Sequence, residues 1–431
     1  MKILVLGSGA REHAIVLALL AEGAAHDIVA APGNAGIAGT VPAPGQGTVA
    51  VVSLDANIPG LVQEFAIDQG FELVVIGPEA PLVAGVADAL RAHGIPTFGP
   101  DKAAAALEGS KTFAKRIMDA AGVPTGKATR ATTLAEAEAA IDEIGAPYVV
   151  KADGLAAGKG VLVTPDRDAA VAHAAHYLSN GPVLVEEFLD GEEVSLFFLA
   201  DGTNVLPLSP AQDFKRLADG DAGPNTGGMG AYSPLPWLAD RFGSEAAFVD
   251  EVRRTIAEPT VRQLAAEGTP FVGLLYAGLI LTAKGIRVIE FNARFGDPET
   301  QVVLPRLATP LSTLLLATAN GALAGLSNPE FKADAAITVV LASEGYPDAP
   351  LTGRPITGVD AADQVPGVHV AHAATAVDAS GALIATGGRV LNVVAVGGDF
   401  ADARTRAYDA LGRISLEGGQ FRTDIAAKVA Q

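Results

Sequence analysis

The first hundred residues alternate short apolar runs with stretches of helical periodicity. The apolar runs lie at residues 2–6, 28–31, 49–52 and 73–76, and the helical patterns lie at 12–22, 61–69 and 82–93. This alternation predicts a parallel sheet covered by helices. Ligands of such open sheets bind at the carboxyl ends of the strands. We therefore expect the loops at 7–12, 31–34 and 77–79 to share one cleft.

The rest of the chain divides into three predicted units after a boundary near Gly99-Pro100. Helices at 102–108 and 111–121 lead to a lid-sized α/β unit, whose helix at 134–144 begins with a Thr133/Glu136 capping box. The segment 209–235 has no periodicity, and we interpret it as a binding loop. A helix at 251–267 and a strand pair at 275–282 and 286–291 follow. The predicted domains are 1–101, a core of 102–125 with 190–330, a lid of 126–189 and a small α/β domain of 331–431.

Composition narrows the class of protein. Hydrophobic residues make up 49% of the 431 and charged residues 18%, which is typical of a globular protein. The net charge of −19 disfavours nucleic-acid and anionic-membrane partners. The chain has no cysteine, so a thiolate nucleophile and cysteine metal ligands are excluded. We expect a cytoplasmic enzyme.

The turn Gly7-Ser8-Gly9 opens a helix and suggests a dinucleotide fingerprint. That interpretation fails because Glu12 occupies the sixth position, and because no acidic residue follows the second strand. The helix N-terminus still favours a phosphate, with Arg11 adding positive charge. A turn in which Arg11 and Glu12 merely cap the helix is the alternative.

Two further motifs indicate nucleotide binding. Lys151 ends a strand before a glycine-rich flap that includes Gly158, Lys159 and Gly160, and backbone amides of such a flap can close over phosphates. A glycine-rich hairpin with solvated lysines is the alternative. The segment 184–193 could present its backbone to adenine and Glu193 to ribose, although acidic hairpins are common.

A fourth motif indicates a cation site. Glu290 and Asn292 are two residues apart on a predicted strand and therefore face the same side, with Arg294 following. Oxygen ligands beside phosphates suit magnesium. A buried Glu290–Arg294 ion pair is the alternative. His173 and His176 share a helix face away from these motifs, and we interpret that face as solvated.

Together these motifs resemble the ATP-grasp superfamily. Within it, the chain is similar almost from end to end to the glycinamide ribonucleotide synthetase family. The similar segments include GSGAREHA, APGNAG, GPEAPL, EGSK, KADGLAAGKGV, EEFLDGEE, QDFKR, GPNTGGMGAYSP, EFNARFGDPETQ, GGRVLNV and RTDIA. The resemblance implies an ATP-grasp core with a mobile lid. It also implies ATP-dependent ligation of glycine to 5-phosphoribosylamine through glycyl phosphate, by a monomer. A departure from the superfamily is strand 274–278, which lacks a carboxylate that many relatives use for metal.

The resemblance also implies roles for individual residues. ATP would be bound by Lys111, Lys151, Gly158, Lys159, Gly160, Glu186, Glu187, Leu189 and Glu193. Magnesium or manganese would be bound by Glu290 and Asn292. The substrates would be bound by Gly9, Arg11, Glu12, Glu79, Asp213, Asn225, Gly227 and Gly228. Catalytic roles would fall to Lys215, Arg294 and Asp297, with Asp297 receiving the glycine ammonium.

Overall fold

The computed structural model describes residues 1–154 and 160–431. Its N-terminal sheet has five parallel strands in the order β3-β2-β1-β4-β5, which confirms the predicted open α/β sheet. The strands are β1 (Lys2–Gly7), β2 (His26–Pro32), β3 (Gly47–Val51), β4 (Leu73–Ile76) and β5 (Thr97–Phe98). The helices are α1 (Ala10–Ala21), α2 (Ala35–Gly39), α3 (Pro59–Gln69), α4 (Glu79–Ala84) and α5 (Val86–Arg91). The single helix predicted at 82–93 is wrong, because Gly85 adopts φ +93° and separates α4 from α5.

Two helices, α6 (Lys102–Gly109) and α7 (Lys111–Ala121), lead from this sheet to a smaller unit. Its sheet is antiparallel with the order β6-β9-β7-β8. The elements are β6 (Ala128–Ala131), α8 (Leu134–Ile144), β7 (Tyr148–Ala152), β8 (Val161–Thr164), α9 (Arg167–Leu178) and β9 (Val183–Glu186). The predicted capping box of Thr133 and Glu136 begins α8. Side chains such as Ile141, Val150 and Val185 form a separate hydrophobic cluster.

The central sheet is antiparallel with the order β11-β10-β16-β17. Its strands are β10 (Glu192–Asp201), β11 (Val205–Pro207), β16 (Val272–Thr282) and β17 (Gly285–Asn292), and it is accompanied by α10 (Leu238–Phe242), α11 (Glu245–Val252) and α12 (Glu258–Ala266). The single helix predicted at 251–267 begins earlier, at Glu245, where Ser244 caps it. A π-helical turn, Arg253–Ala257, interrupts it just before Pro259, which has no N–H to donate.

The third large sheet has the order β12-β15-β18-β23-β20. The segment 209–235, predicted to lack regular structure, contributes β12 and β15 to it, and Gly230–Ser233 pair with β18. The sheet thus crosses the predicted boundary at residue 331. The remaining strands are β12 (Gln212–Asp213), β13 (Arg216–Ala218), β14 (Ala222–Asn225), β15 (Gly230–Ser233), β18 (Ala335–Ala342), β19 (Ile356–Thr357), β20 (Val368–His372), β21 (Thr375–Val377), β22 (Leu383–Ala385), β23 (Arg389–Gly397) and β24 (Ser415–Leu416). The remaining helices are α13 (Thr300–Val303), α14 (Leu311–Ala319), α15 (Val359–Asp363) and α16 (Phe400–Leu411).

Helix length and hydropathy bear on any membrane role. Across the two described ranges, no helix is both long and apolar enough to cross a membrane.

Candidate active site

The turn between β1 and α1 is built around Glu12. Its carboxylate accepts the Gly9 N–H at 2.5 Å and lies 2.5 Å from Nε of Arg11, and the residue is only 1% exposed. A side chain at Gly7 or Gly77 would overlap this carboxylate, so both positions require glycine. Glu12 therefore shapes the turn from inside.

A cavity of about 480 Å³ lies at the carboxyl ends of β1 and β2. Residues of the first two predicted loops line it, but residues 77–79 do not, so the prediction of one cleft for all three loops holds only in part. One wall comes from the N-terminal sheet and Asp297, and the opposite wall comes from the C-terminal domain, which sequence reasoning did not include. The lining residues are Ser8, Gly9, Pro32, Gly33, Asn34, Asp297, Ala373, Ala374, Thr375, Thr386, Gly388 and Arg389. The segment GGRVLNV, which contains Arg389, carries part of the family resemblance, but no role was predicted for its residues.

Arg389 joins Asp297, on the cavity wall, to the loop that carries Gly227. Its Nη1 donates to the Asp297 carbonyl at 2.7 Å and to the Gly227 carbonyl at 2.6 Å, and its Nη2 donates to Asp297 Oδ2 at 3.0 Å. Gln301 donates to the other Asp297 oxygen at 2.7 Å. Burial opposes ionisation of Asp297, but Arg389 and Arg11 outweigh it and hold its pKa below the ordinary value. Asp297 is therefore an ionised group beside the Gly turn.

The loop carrying Gly227 and Gly228 lies against the same groups. Tyr346 accepts the Gly227 N–H at 2.9 Å. Gly228 has φ +110°, and a side chain there would lie 2.5 Å from Pro298. The loop is thus packed closely enough to require glycine. Asn225, in β14, is exposed.

Arg294 joins the N-terminal domain to the central sheet. It follows β17, and its Nη2 lies 2.9 Å from Glu108 Oε1 while its Nε lies 3.5 Å from Glu79 Oε2. Burial works against the charge of Arg294, but Glu108 and Glu79 overcome it and raise the pKa. The alternative pairing with Glu290 is not the one that the structure shows. Glu108 was missed, although the segment EGSK had drawn attention to it.

The predicted phosphate-binding lysines lie near carboxylates. Lys151 is 6% exposed, lies 2.9 Å from Glu186 Oε2 and donates to the Ile289 carbonyl at 3.3 Å. Lys115, which had no predicted role, lies 3.3 Å from the same oxygen of Glu186. Lys111 donates to the Gly154 carbonyl at 3.1 Å, and burial lowers its pKa while Glu290 opposes the shift. Lys115 and Lys151 therefore share the carboxylate of Glu186, and Lys111 lies within electrostatic reach of Lys151 and Glu290.

The other predicted ATP contacts frame this region. Glu187 accepts the Lys127 N–H at 3.2 Å, and Leu189 lies next to Gly126. Gly158 and Lys159 lie outside the described residues. The Gly160 carbonyl accepts the Ala152 N–H at 2.8 Å and lies 3.2 Å from Nε2 of His173. The placement of His173 far from every motif is therefore wrong, because α9 carries it back onto the end of the flap segment.

A second cluster contains Lys215. Its ammonium forms ion pairs with Glu193 and, at 3.5 Å, with Asp213. Burial raises the pKa of Asp213 to about 7, although Lys215 opposes the shift. Burial alone would lower the pKa of Lys215, but Asp213, Glu193, Tyr276 and Glu290 together raise it. Lys215 therefore stays charged between two carboxylates.

Glu290 and Asn292 fit a hard cation. Both are half-buried on β17, and Asn292 Oδ1 lies 3.4 Å from Arg294 Nη2. Glu290 acts electrostatically on both Lys111 and Lys215, so the two lysine clusters face one carboxylate. Within residues 1–154 and 160–431, no group of three or more His, Asp or Glu side chains could hold a metal ion. These two oxygen ligands would need others from a bound ligand.

The central antiparallel sheet carries two oxygen ligands, Glu290 and Asn292, with lysines beside them, and a smaller α/β unit precedes this sheet in the chain. Together these features define an ATP-grasp enzyme. The description phosphoribosylglycinamide synthetase, ATP-grasp (A) domain, matches residues 109–300. The fold alone is shared with the biotin carboxylase domain of 2-oxoglutarate carboxylase from Hydrogenobacter thermophilus. That domain has a TM-score of 0.70 at 19% identity, over 97% of this chain and 91% of that one.

The chain belongs to the phosphoribosylglycinamide synthetase family, whose N domain matches residues 1–108 and whose C domain matches 336–428. It is 73% identical to a phosphoribosylamine–glycine ligase from Leifsonia xyli over 99% of this chain and 100% of that one. The crystal structure of phosphoribosylamine–glycine ligase from Thermotoga maritima has a TM-score of 0.80 at 32% identity, over 98% of this chain and 100% of that one.

Proposed function

We propose that this chain joins glycine to 5-phosphoribosylamine with ATP, giving glycinamide ribonucleotide, ADP and phosphate in purine synthesis. One observation carries the proposal. Arg294, at the end of the strand with Glu290 and Asn292, is ion-paired with Glu79, the first residue of α4. A single guanidinium therefore connects the nucleotide half of the site with the sheet end where the sugar phosphate would lie.

The chemistry must activate a carboxylate that is inert to amines. A glycine carboxylate oxygen attacks the γ-phosphorus of ATP, the bond to ADP breaks, and glycyl phosphate forms. The phosphoribosylamine nitrogen then attacks the glycyl carbon, phosphate leaves with that oxygen, and the nitrogen loses a proton. Lys111, Lys151 and Arg294 would neutralise the charge that develops on the phosphoryl oxygens. The rest of the rate enhancement would come from positioning the reactants.

The divalent ion would be held by Glu290 and Asn292. Their donor set is carboxylate and amide oxygen, which suits magnesium or manganese beside phosphates. When bound, such an ion neutralises phosphate charge and orients the phosphate chain. Both Lys111 and Lys215 interact electrostatically with Glu290. The cation and these two lysines would therefore neutralise the phosphate charge together.

The phosphoribosyl half would occupy the cavity of about 480 Å³ beside the Gly turn. Helix α1 is twelve residues long and begins at this turn, so its free N–H groups favour the phosphate. Arg389 lines this cavity, and Arg11 lies close enough to Asp297, another lining residue, to lower the pKa of its carboxyl. Glu79, with a partly exposed carboxylate, would accept the ribose hydroxyls. Asp297, which is ion-paired with Arg389, would also bind the glycine ammonium.

Two further proposals concern context. The proposed role in purine synthesis supports a cytoplasmic location. We also propose a monomer, which size-exclusion chromatography with light scattering tests directly.

The deciding experiment uses glycine labelled with ¹⁸O in its carboxylate. ADP release should require both glycine and phosphoribosylamine, and one label should appear in phosphate for each product formed. Unlabelled phosphate, or AMP and pyrophosphate as products, would exclude the route. ADP release without phosphoribosylamine would indicate another ATP-grasp reaction, and reduction of a nicotinamide would indicate a dehydrogenase.

A further inference from the structure

The outer edge of the C-terminal sheet is covered by side chains from the N-terminal domain. Strand β20 pairs with β23 on one side, where His372 lies opposite Leu391. On its other side, the His372 N–H donates to Nδ1 of His13 at 2.9 Å, and Nδ2 of Asn34 donates to the His372 carbonyl at 2.7 Å. Both backbone polar groups of this single residue are therefore satisfied by the other domain.

The partners of His13 determine its protonation. Thr40 donates its hydroxyl hydrogen to the Gly36 carbonyl at 2.9 Å, and its oxygen lies 3.2 Å from Nε2 of His13. Nε2 therefore carries the hydrogen, and Nδ1 is left as the acceptor for His372. Burial, with His372 and His369 nearby, lowers the pKa of His13 to about 3. The neutral tautomer that this contact requires is thus the stable one at neutral pH.

The Asn34 amide connects His372 to the Gly turn. Besides the His372 carbonyl, Nδ2 reaches the carbonyls of Ser8 at 2.9 Å and Gly9 at 3.4 Å. Its Oδ1 accepts the Ile37 N–H at 2.9 Å, which begins α2 and fixes the orientation of the amide. A side chain at position 36 would overlap the His372 ring, so the two domains touch here without space for water.

This contact lies directly beside the cavity. Residues 373–375 follow His372 and form the wall opposite Ser8 and Gly9. Thr375 is buried, and its hydroxyl lies 3.1 Å from Nδ1 of His372. The position of His372 therefore sets the position of the wall.

We propose that His13 and Asn34 are positioning residues for the phosphoribosyl group: they hold residues 373–375 of the C-terminal domain over the Gly turn and so complete the cavity. Neither is a catalytic residue, and the ATP subsite does not depend on them. The ligand class rests on the proposed function.

The test compares His13→Leu and Asn34→Asp with wild type. Leucine removes the acceptor of the His372 N–H. Aspartate keeps an acceptor for Ile37 but cannot donate to the carbonyls of His372 and Ser8. Calorimetry with glycinamide ribonucleotide, the stable product, should show binding weakened about 10- to 100-fold, since each variant leaves buried polar groups unpaired. The KM for phosphoribosylamine should rise similarly, while the KM for ATP stays within about 2-fold of wild type.

A rescue variant separates positioning from general stability. His13→Asn places an amide oxygen near the location of Nδ1 and should restore product binding to within about 3-fold of wild type. His93→Leu, at an exposed histidine of the same domain, is the control and should change nothing. A melting curve with each variant shows that it is folded at the assay temperature.

The outcomes are distinct. Wild-type product affinity in both variants, or an equal rise in the KM values for ATP, glycine and phosphoribosylamine, overturns the positioning role. Failure of His13→Asn to restore binding lost in His13→Leu also overturns it. A wild-type protein that neither binds glycinamide ribonucleotide nor ligates glycine overturns the proposed function itself.

Discussion

The ion cluster around Lys215 makes a specific prediction about pH. Lys215 lies between Glu193 and Asp213, and burial raises the pKa of Asp213 to about 7. When Asp213 is ionised, its attraction for the Lys215 ammonium balances the attraction of Glu193. When it is protonated, Lys215 is attracted to Glu193 alone and moves toward the nucleotide side. We therefore expect activity to require the ionised form, and the substitution Asp213→Asn to imitate the protonated form at every pH.

The magnitude follows from the fraction of Asp213 that is ionised. With a pKa of about 7, this fraction is about 0.9 at pH 8, about 0.5 at pH 7 and about 0.1 at pH 6. Wild-type turnover should therefore fall about 10-fold between pH 8 and pH 6 through this group alone. The ratio of wild-type to Asp213→Asn turnover should be largest at pH 8 and should decline toward pH 6.

The assay measures ADP directly by chromatography at saturating ATP, glycine and phosphoribosylamine from pH 5.5 to 9. Taking the ratio of the two enzymes removes the titration of the substrates, which is common to both. Asp201→Asn is the matched control, because Asp201 is also buried but binds only backbone and Asn204 groups away from the lysines. A ratio independent of pH, or the same pH dependence in Asp201→Asn, would refute the assignment.

Three other substitutions test the two halves of the site, with exposed Lys284→Ala as a shared control that should behave as wild type. Lys151→Ala should lower turnover about 100-fold, the scale for losing one preorganised charge, and unchanged single-turnover kinetics would remove Lys151 from the site. Glu79→Gln should raise the KM for phosphoribosylamine about 10-fold by weakening bonds to ribose hydroxyls; an equal rise in the KM for ATP would contradict this role. Glu108→Gln keeps the acceptor for Ala293 but removes the charge that faces Arg294 at 2.9 Å, and kcat/KM for glycine should fall about 10-fold or more. If it does not fall, the orientation of Arg294 does not depend on that charge.

Much of the fold is predictable because its signals are local. Strand β4 coincides with the apolar run at 73–76, since a strand covered on both faces is apolar at every position. Helix α8 coincides with the prediction because a capping box marks its start. Strand β15 has no such signal. Its four residues form a strand because they pair with β18, which lies far along the chain.

The same contrast between local signals and long-range contacts holds for the site. The prediction that Glu290 and Asn292 share one strand face follows from the period of a strand, and the strand lies where it was predicted. The partners of Arg294 could not be predicted in this way. Glu79 was predicted as a site residue, but its pairing with Arg294 was not, and neither was that of Glu108. Both reach Arg294 from separate helices far away in the sequence. Arg389 was missed for the same reason, because its carboxylate partner lies in a different domain.

The shared C-terminal sheet limits how this chain can be recombined with its relatives. A crossover between parents after residue 330 would leave β15 from one parent paired with β18 from the other. The two strands meet through backbone hydrogen bonds, and a side chain at Gly230 would lie 2.7 Å from the Thr338 carbonyl. Whether a chimeric protein folds should therefore depend on whether position 230 remains glycine. Placing the crossover at an apparent domain boundary gives no advantage.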